Sequence, residues 1–224
     1  MSQRGGWGNQ ASILLGDMLF SHAFHLASSV DAQACDIIGA ATGRVCEGEL
    51  HQITERGNFG LSEDEYFDVI DGKTAELTAC CCRLGALYAG AEDDTVEKLS
   101  SYGRCLGLAF QIADDLLDLT GLEETTGKTL GTDLEQQKLA LPIIHMLGRL
   151  PTERAAPARQ LLRKPKNARQ ALLPLLQETG SLEYARDRAE EFSAQARACL
   201  VNLPASEFRT ILHHLTDWTV RREK

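Results

Sequence analysis

The amino-acid sequence predicts an all-α protein forming one domain over residues 1–224. Three observations carry this. Apolar residues recur at three- and four-residue spacing along most of the chain, and no stretch alternates as a strand would. Ser62-Glu63-Asp64-Glu65 has the form of a capping box, the start signal of a helix. The proline-containing connections at Pro151, Pro165 and Pro204 are short, and no internal repeat or long linker asks for a second domain.

Taken in order, a first helix is expected from about Asn9 to Ser28, with Ile13, Leu14, Met18 and Phe24 at helical spacing. A second runs from about Ala32 to Glu55, and a third from the capping box to about Ala89. The fourth spans about Asp94 to Leu119. Its positions Leu99, Gly103, Leu106, Phe110, Ala113 and Leu117 define one buried face. Gly121 to Gln137 breaks the pattern, with glycines at 121, 127 and 131. Helices resume near Leu139, where Pro142 is tolerable in a first turn. Further helices are expected at about Thr152–Leu162, Asn167–Glu178, Ser181–Val201 and Ser206–Arg222.

Composition narrows the function. The chain has 224 residues, 43% hydrophobic and 25% charged, enough for one sizeable core. Its net charge of −9 speaks against a nucleic-acid partner. It does not forbid an anionic substrate, because divalent cations can bridge carboxylates to phosphates. Met1 to Gln10 lacks the apolar core of a signal peptide. No uninterrupted apolar run approaches the roughly 18–20 residues of a membrane span, so a cytoplasmic protein without a span is expected. The seven cysteines include no C-x-x-C. Cys80, Cys81 and Cys82 sit on one helix, about 100° apart, and cannot jointly grip a metal. They are expected to be small buried residues.

The chemistry concentrates in Asp114-Asp115-Leu116-Leu117-Asp118. Positions four apart on a helix place the carboxylates of Asp114 and Asp118 nearly above one another, with Asp115 beside them. Two like charges about 4 Å apart repel by roughly 4 kcal/mol at an effective dielectric near 20, and a cation between them reverses the sign. Oxygen-only ligands suit Mg²⁺, which keeps waters and completes its shell with phosphate oxygens. A solvated acidic helix end is the plainer alternative. Against it stand the preceding apolar run Leu106 to Phe110 and the nearby ammonium groups Lys128 and Lys138. Lys73-Thr74 sits mid-helix, where a lone lysine most often faces solvent. His22, His25, His213 and His214 have no partners that would complete a ligand set.

Phe110-Gln111-x-x-Asp114-Asp115-x-x-Asp118, then Gly127-Lys128-x-x-Gly131-x-Asp133-Leu134, then Lys138-x-x-x-Pro142, closely resembles the trans-polyprenyl diphosphate synthases. Trp7-Gly8-Asn9-Gln10, Gly48-Glu49-Leu50-x-Gln52 and Lys73-Thr74-Ala75 extend the resemblance upstream in the family's order. It implies the isoprenoid-synthase type of helical bundle. It also implies Mg²⁺ on Asp114, Asp115 and Asp118, and Lys73, Lys128 and Lys138 on the allylic diphosphate. Thr74 and Gln111 would stabilise the allylic cation by their oxygen dipoles. Glu47, Glu49 and Gln52 are expected in supporting positions. The implied transferase reaction is ionisation of the allylic diphosphate, attack by isopentenyl diphosphate, and loss of a proton.

The family's first aspartate-rich motif has no counterpart before Trp7, so an N-terminally truncated bundle is expected, with one metal wall and weak condensation as an isolated chain. Apolar surface left open by such a boundary invites a partner. By resemblance that partner is a second copy, or a related subunit of a heteromer in which this chain is non-catalytic. A terpene-forming enzyme that ionises diphosphates without condensation is a further alternative.

Overall fold

A computed structural model describes residues 8–121, 130–163 and 168–221, and every regular element among them is helical. The helices are α1 (Gly8–Val30), α2 (Ala32–Thr54), α3 (Glu63–Ile70), α4 (Glu76–Tyr88) and α5 (Asp93–Thr120), with a π-helical turn at Asp71–Ala75 between α3 and α4. Then follow α6 (Thr132–Glu135), α7 (Leu141–Arg149), α8 (Thr152–Leu162), α9 (Ala168–Glu178), α10 (Ser181–Cys199) and α11 (Glu207–Val220). Two elements depart from expectation. The third helix carries the wider π turn, and α6 forms in a stretch read as irregular.

The chain divides into two compact units, residues 1–43 and 44–224, with the boundary inside the range of α2. In the first unit Asp31 accepts the Ala34 N–H at 2.8 Å, a side-chain cap on the start of α2. Only Ala27 of α1 is buried, while Ile13, Leu14, Met18 and Leu19 are each more than 60% exposed. Among the described residues α1 is the one helix long and apolar enough to cross a membrane by length and composition, at a hydropathy of 1.2. The expectation of no span rested on uninterrupted runs. Asp17, His22 and His25 interrupt α1 without lowering its average far.

In the second unit α5 packs against α4, α10 and the π turn. Its buried residues include Val96, Tyr102, Gly103, Leu106, Leu108, Ile112 and Leu119, so of the face read from spacing Gly103 and Leu106 are buried while Leu99, Ala113 and Leu117 are only partly so. Phe110, assigned to that face, is 36% exposed instead. Small residues make the crossing with α4 possible. A Cβ added at Gly107 would lie 2.4 Å from Thr78 Oγ1 and 2.6 Å from Ala75 Cα, so a larger residue there would push the helices apart. The main core joins α5 to α7, α8, α9 and α10 through Ile112, Leu119, Leu141, Ile143, Met146, Leu162, Leu172 and Leu182. Each fully buried leucine or isoleucine of this set contributes about 1.5–3 kcal/mol by leaving water.

Helix starts follow local chemistry. The capping box forms as expected: the Ser62 hydroxyl accepts from the Glu65 N–H, and the Glu65 carboxylate accepts from the Ser62 N–H. Pro142 lies in the first turn of α7, and Ser206 caps α11 by accepting from Arg209 N–H. The cysteines depart from expectation in burial. Cys80 is buried, but Cys46 and Cys81 are exposed and the other four are intermediate.

Candidate functional site

Lys73 and Thr74 occupy the π turn rather than an ordinary helix turn. The extra residue per turn widens the helix locally and redirects the side chains it carries. The α2 backbone approaches closely: a Cβ at Gly48 would lie 2.4 Å from Lys73 N. That contact sets Lys73 beside α2, where its Nζ donates to Gln52 Oε1 at 2.8 Å and sits 3.7 Å from Glu49. Arg104 of α5 pairs with Asp71 and Glu76 at the two ends of the turn and pins it from outside.

A polar cavity of about 140 Å³ lies inside this frame. Gln52, Lys73, Gln111, Asp114 and Asp115 line it, with Tyr66 and, from the far side of the sequence, Asp133, Lys138, Leu139 and Ala140. Thr74 joins through a hydrogen bond, its hydroxyl donating to Gln111 Oε1 at 2.8 Å. Gln111 Nε2 donates to Asp115 Oδ1 at 2.8 Å, and Tyr66 Oη donates to Asp115 Oδ2 at 2.7 Å.

Electrostatics divide the carboxylates. Burial, reinforced by the charge of Asp133, pushes the Asp115 pKa up to about 7, while the Tyr66 and Gln111 hydrogen bonds and the charge of Lys73 oppose the rise. Burial and the neighbouring Asp118 also raise Asp133, with Lys138 and Lys73 working against them. The Tyr66 phenol is raised by its own burial and by Asp115. Acids raised by burial and by one another, gathered beside ammonium groups in a cavity, mark a candidate functional site.

The expected residues are not all brought together. Lys73, Gln111, Asp114, Asp115 and Lys138 share the cavity, with Thr74 in contact. Asp118 does not line it; its carboxylate accepts from Thr132 N, Thr132 Oγ1 and Asp133 N at 3.1–3.3 Å, holding the start of α6 against the end of α5. Lys128 lies outside the described residues. Lys138 lines the cavity directly after Gln137, which adopts φ 56°, an unusual value for a residue with a side chain, and the Lys138 Nζ lies 3.6 Å from Asp133.

Tyr66 and Asp133 were not singled out as site residues in the sequence. Asp133 stood within the quoted G-K-x-x-G-x-D-L stretch, so its signal was present. Tyr66 had none, because its partner is 49 residues away.

The donor set suits a hard divalent ion shared with a diphosphate. Among the described residues no group of three or more His, Cys, Asp or Glu could hold a metal ion by itself. Asp114, Asp115 and Asp133 nevertheless supply oxygen donors to one cavity, and an ion of the Mg²⁺ class commonly takes one or two carboxylates and completes its shell with phosphate and water.

Comparison with known proteins bears on the family and the fold. Residues 2–178 match the Polyprenyl synthetase family. The octaprenyl diphosphate synthase of Escherichia coli (strain K12) is 34% identical over 222 residues, covering 97% of this chain and 68% of that protein. A decaprenyl diphosphate synthase from Rhodobacter capsulatus superposes with a TM-score of 0.89 at 34% identity, over 97% of this chain and 68% of that one. A polyprenyl synthase from Caulobacter crescentus CB15, solved with calcium and isoprenyl diphosphate, superposes at 0.88 with the same identity and the same coverage. Both superpositions span nearly the whole chain, so the all-α architecture is shared. With residues 2–178 matched by the family and relatives 34% identical over 97% of its length, the chain belongs to the polyprenyl synthetase family.

Proposed function

We propose that this chain is a prenyltransferase whose cavity holds the diphosphate of an allylic substrate so that, as the diphosphate leaves, isopentenyl diphosphate can be joined to the allylic carbon that carried it. The observation that carries this is the meeting of Lys73 and Lys138 with Asp114, Asp115 and Asp133 around one polar cavity. Ammonium groups alone would bind many anions. Ammonium groups facing carboxylates favour an anion that brings a divalent cation with it.

Lys73 and Lys138 bind diphosphate oxygens and favour their departure as negative charge develops. Asp114 and Asp133 would hold Mg²⁺, which when bound screens the diphosphate and makes it a better leaving group. Gln111 Oε1 and Thr74 Oγ1 present the negative ends of their dipoles to the allylic carbon as it becomes positive. The Asp118 carboxylate acts indirectly, by fixing the turn that carries Asp133. By resemblance, a second copy or a related subunit is the proposed partner.

The test is binding of an allylic thiolodiphosphate, in which sulfur replaces the bridging oxygen. Calorimetry on the whole chain is expected to show binding with Mg²⁺ and almost none with EDTA. Removing Lys73 as Lys73→Ala should weaken it at least about tenfold, the loss of one charge-assisted contact. Equal affinity with and without the metal would overturn the proposal.

A further inference from the structure

Thr74 and Gln111 are not independent of the rest of the cavity. The Gln111 side-chain amide has two ends of nearly equal size, and a half-turn about its last bond exchanges them. In the present orientation Oε1 accepts from Thr74 and Nε2 donates to Asp115. The reversed orientation would aim N–H groups, the positive end of the amide dipole, towards a carbon that is becoming a cation. An ionised carboxylate only accepts hydrogen bonds, so Asp115 can satisfy the Nε2 end and not the Oε1 end.

Asp115 can impose that choice only if it is itself immobile. It is 7% exposed, the one carboxylate buried among the described residues. Its second oxygen accepts from Tyr66, which is 3% exposed and comes from α3, across the cavity from α5. Each end of the Asp115 carboxylate is therefore engaged, one by the amide it orients and one by the phenol that holds it.

Resting on the diphosphate site proposed above, we propose that Tyr66 and Asp115 are a positioning pair that sets the amide orientation of Gln111, and that Asp115 serves the reaction through Gln111 and not as a ligand of the metal. Asp114 and Asp133 then remain as the metal-facing carboxylates of this wall.

The experiment has two readouts. Proton–nitrogen NMR of the metal-free chain, at alkaline pH, follows the side-chain amide of Gln111. Electron paramagnetic resonance of Mn²⁺, in the presence of geranyl thiolodiphosphate, follows the metal. In Tyr66→Phe the Gln111 amide protons should exchange with water roughly tenfold faster or more, the loss of a hydrogen bond to a charged group. Their two resonances should also move together. Mn²⁺ affinity should stay within about twofold, whereas loosening a true metal ligand by removing its hydrogen-bond partner weakens binding roughly 10–100-fold.

Unchanged Gln111 amide exchange in Tyr66→Phe would overturn the proposal, and so would a tenfold loss of Mn²⁺. Should Tyr66→Phe fold poorly, the paired variant Tyr66→Phe with Asp115→Leu removes both buried partners at once, which is close to neutral for stability. It must release the Gln111 amide as well; an amide held as in the parent chain overturns the proposal. A parent chain that binds neither Mn²⁺ nor the thiolodiphosphate, while keeping the ordered Gln111 amide, overturns the proposed function and with it the role assigned here.

Discussion

Gly48→Ala adds one methyl group where α2 meets the π turn. The new Cβ would lie 2.4 Å from Lys73 N, 2.9 Å from Gly72 C and 3.1 Å from Lys73 Cα. Carbon contacts are comfortable at about 3.5–4.0 Å, so the two backbones must separate by about 1 Å. All three atoms are backbone, and no flexible side chain is available to yield. Such overpacking costs about 1–3 kcal/mol. Alanine recovers about 1 kcal/mol of helix propensity over glycine, which makes the net stability change modest. Gly43→Ala on the same helix isolates the steric part, because a Cβ there meets nothing within 4 Å. The difference between the two variants should therefore be about 1–3 kcal/mol, or about 2–12 °C in melting temperature for a chain of this size. Function should suffer more than stability. Displacing a charge-bearing group by about 1 Å can lower productive interaction on the order of 100-fold. Lys73 is the group displaced, so thiolodiphosphate binding should fall in Gly48→Ala and hold in Gly43→Ala. Equal melting temperatures and equal affinities in the two variants would refute the close crossing and its role in placing Lys73.

Gln137 adopts φ 56°, a left-handed conformation that costs a non-glycine residue roughly 1–2 kcal/mol. Gln137→Gly should hold or raise the denaturation midpoint and Gln137→Val should lower it; the opposite order would place the strain elsewhere. The pKa of Asp115 is raised from 3.8 to about 7 in the folded chain. A raised acid favours folding below its unfolded pKa and loses that contribution as pH climbs towards 7, by up to about 4 kcal/mol. Urea midpoints in EDTA should fall between pH 4 and pH 7 by more in the parent than in Asp115→Asn, and parallel curves would exclude the effect. The exposed apolar residues of α1 predict association. Light scattering should give a mass above the 24.5 kDa of one chain, and Met18→Glu should shift it towards the single chain; a parent chain already monodisperse at 24.5 kDa would contradict this.

Much of the fold was legible because its signals are local. The Ser62–Glu65 box and Pro142 in a first turn each involve residues within a few positions of one another, and each forms as read; the spacing along α5 gave the helix but only part of its buried face. The π turn was not legible, since Asp71-Gly72-Lys73-Thr74-Ala75 is compatible with an unbroken helix. Its shape is tied to Gly48 on α2 and Arg104 on α5, both far away in sequence. Phe110 shows the same limit from the other side: spacing placed it on the buried face, yet exposure depends on which helices are actually present beside it.

The sequence by itself determined the helical class and named Lys73, Gln111, Asp114, Asp115 and Lys138 among the groups that line the cavity, because charge, spacing and motif order are properties of the chain. Only the tertiary structure decided what each carboxylate does. Asp114, Asp115 and Asp118 are equivalent as letters. Burial beneath Tyr66, the reach of Gln111 and the turn at Thr132 then give Asp115 and Asp118 hydrogen-bond partners that no local pattern encodes. A carboxylate takes its role from the donors that fill its lone pairs, and those donors come from helices that meet only in the folded molecule.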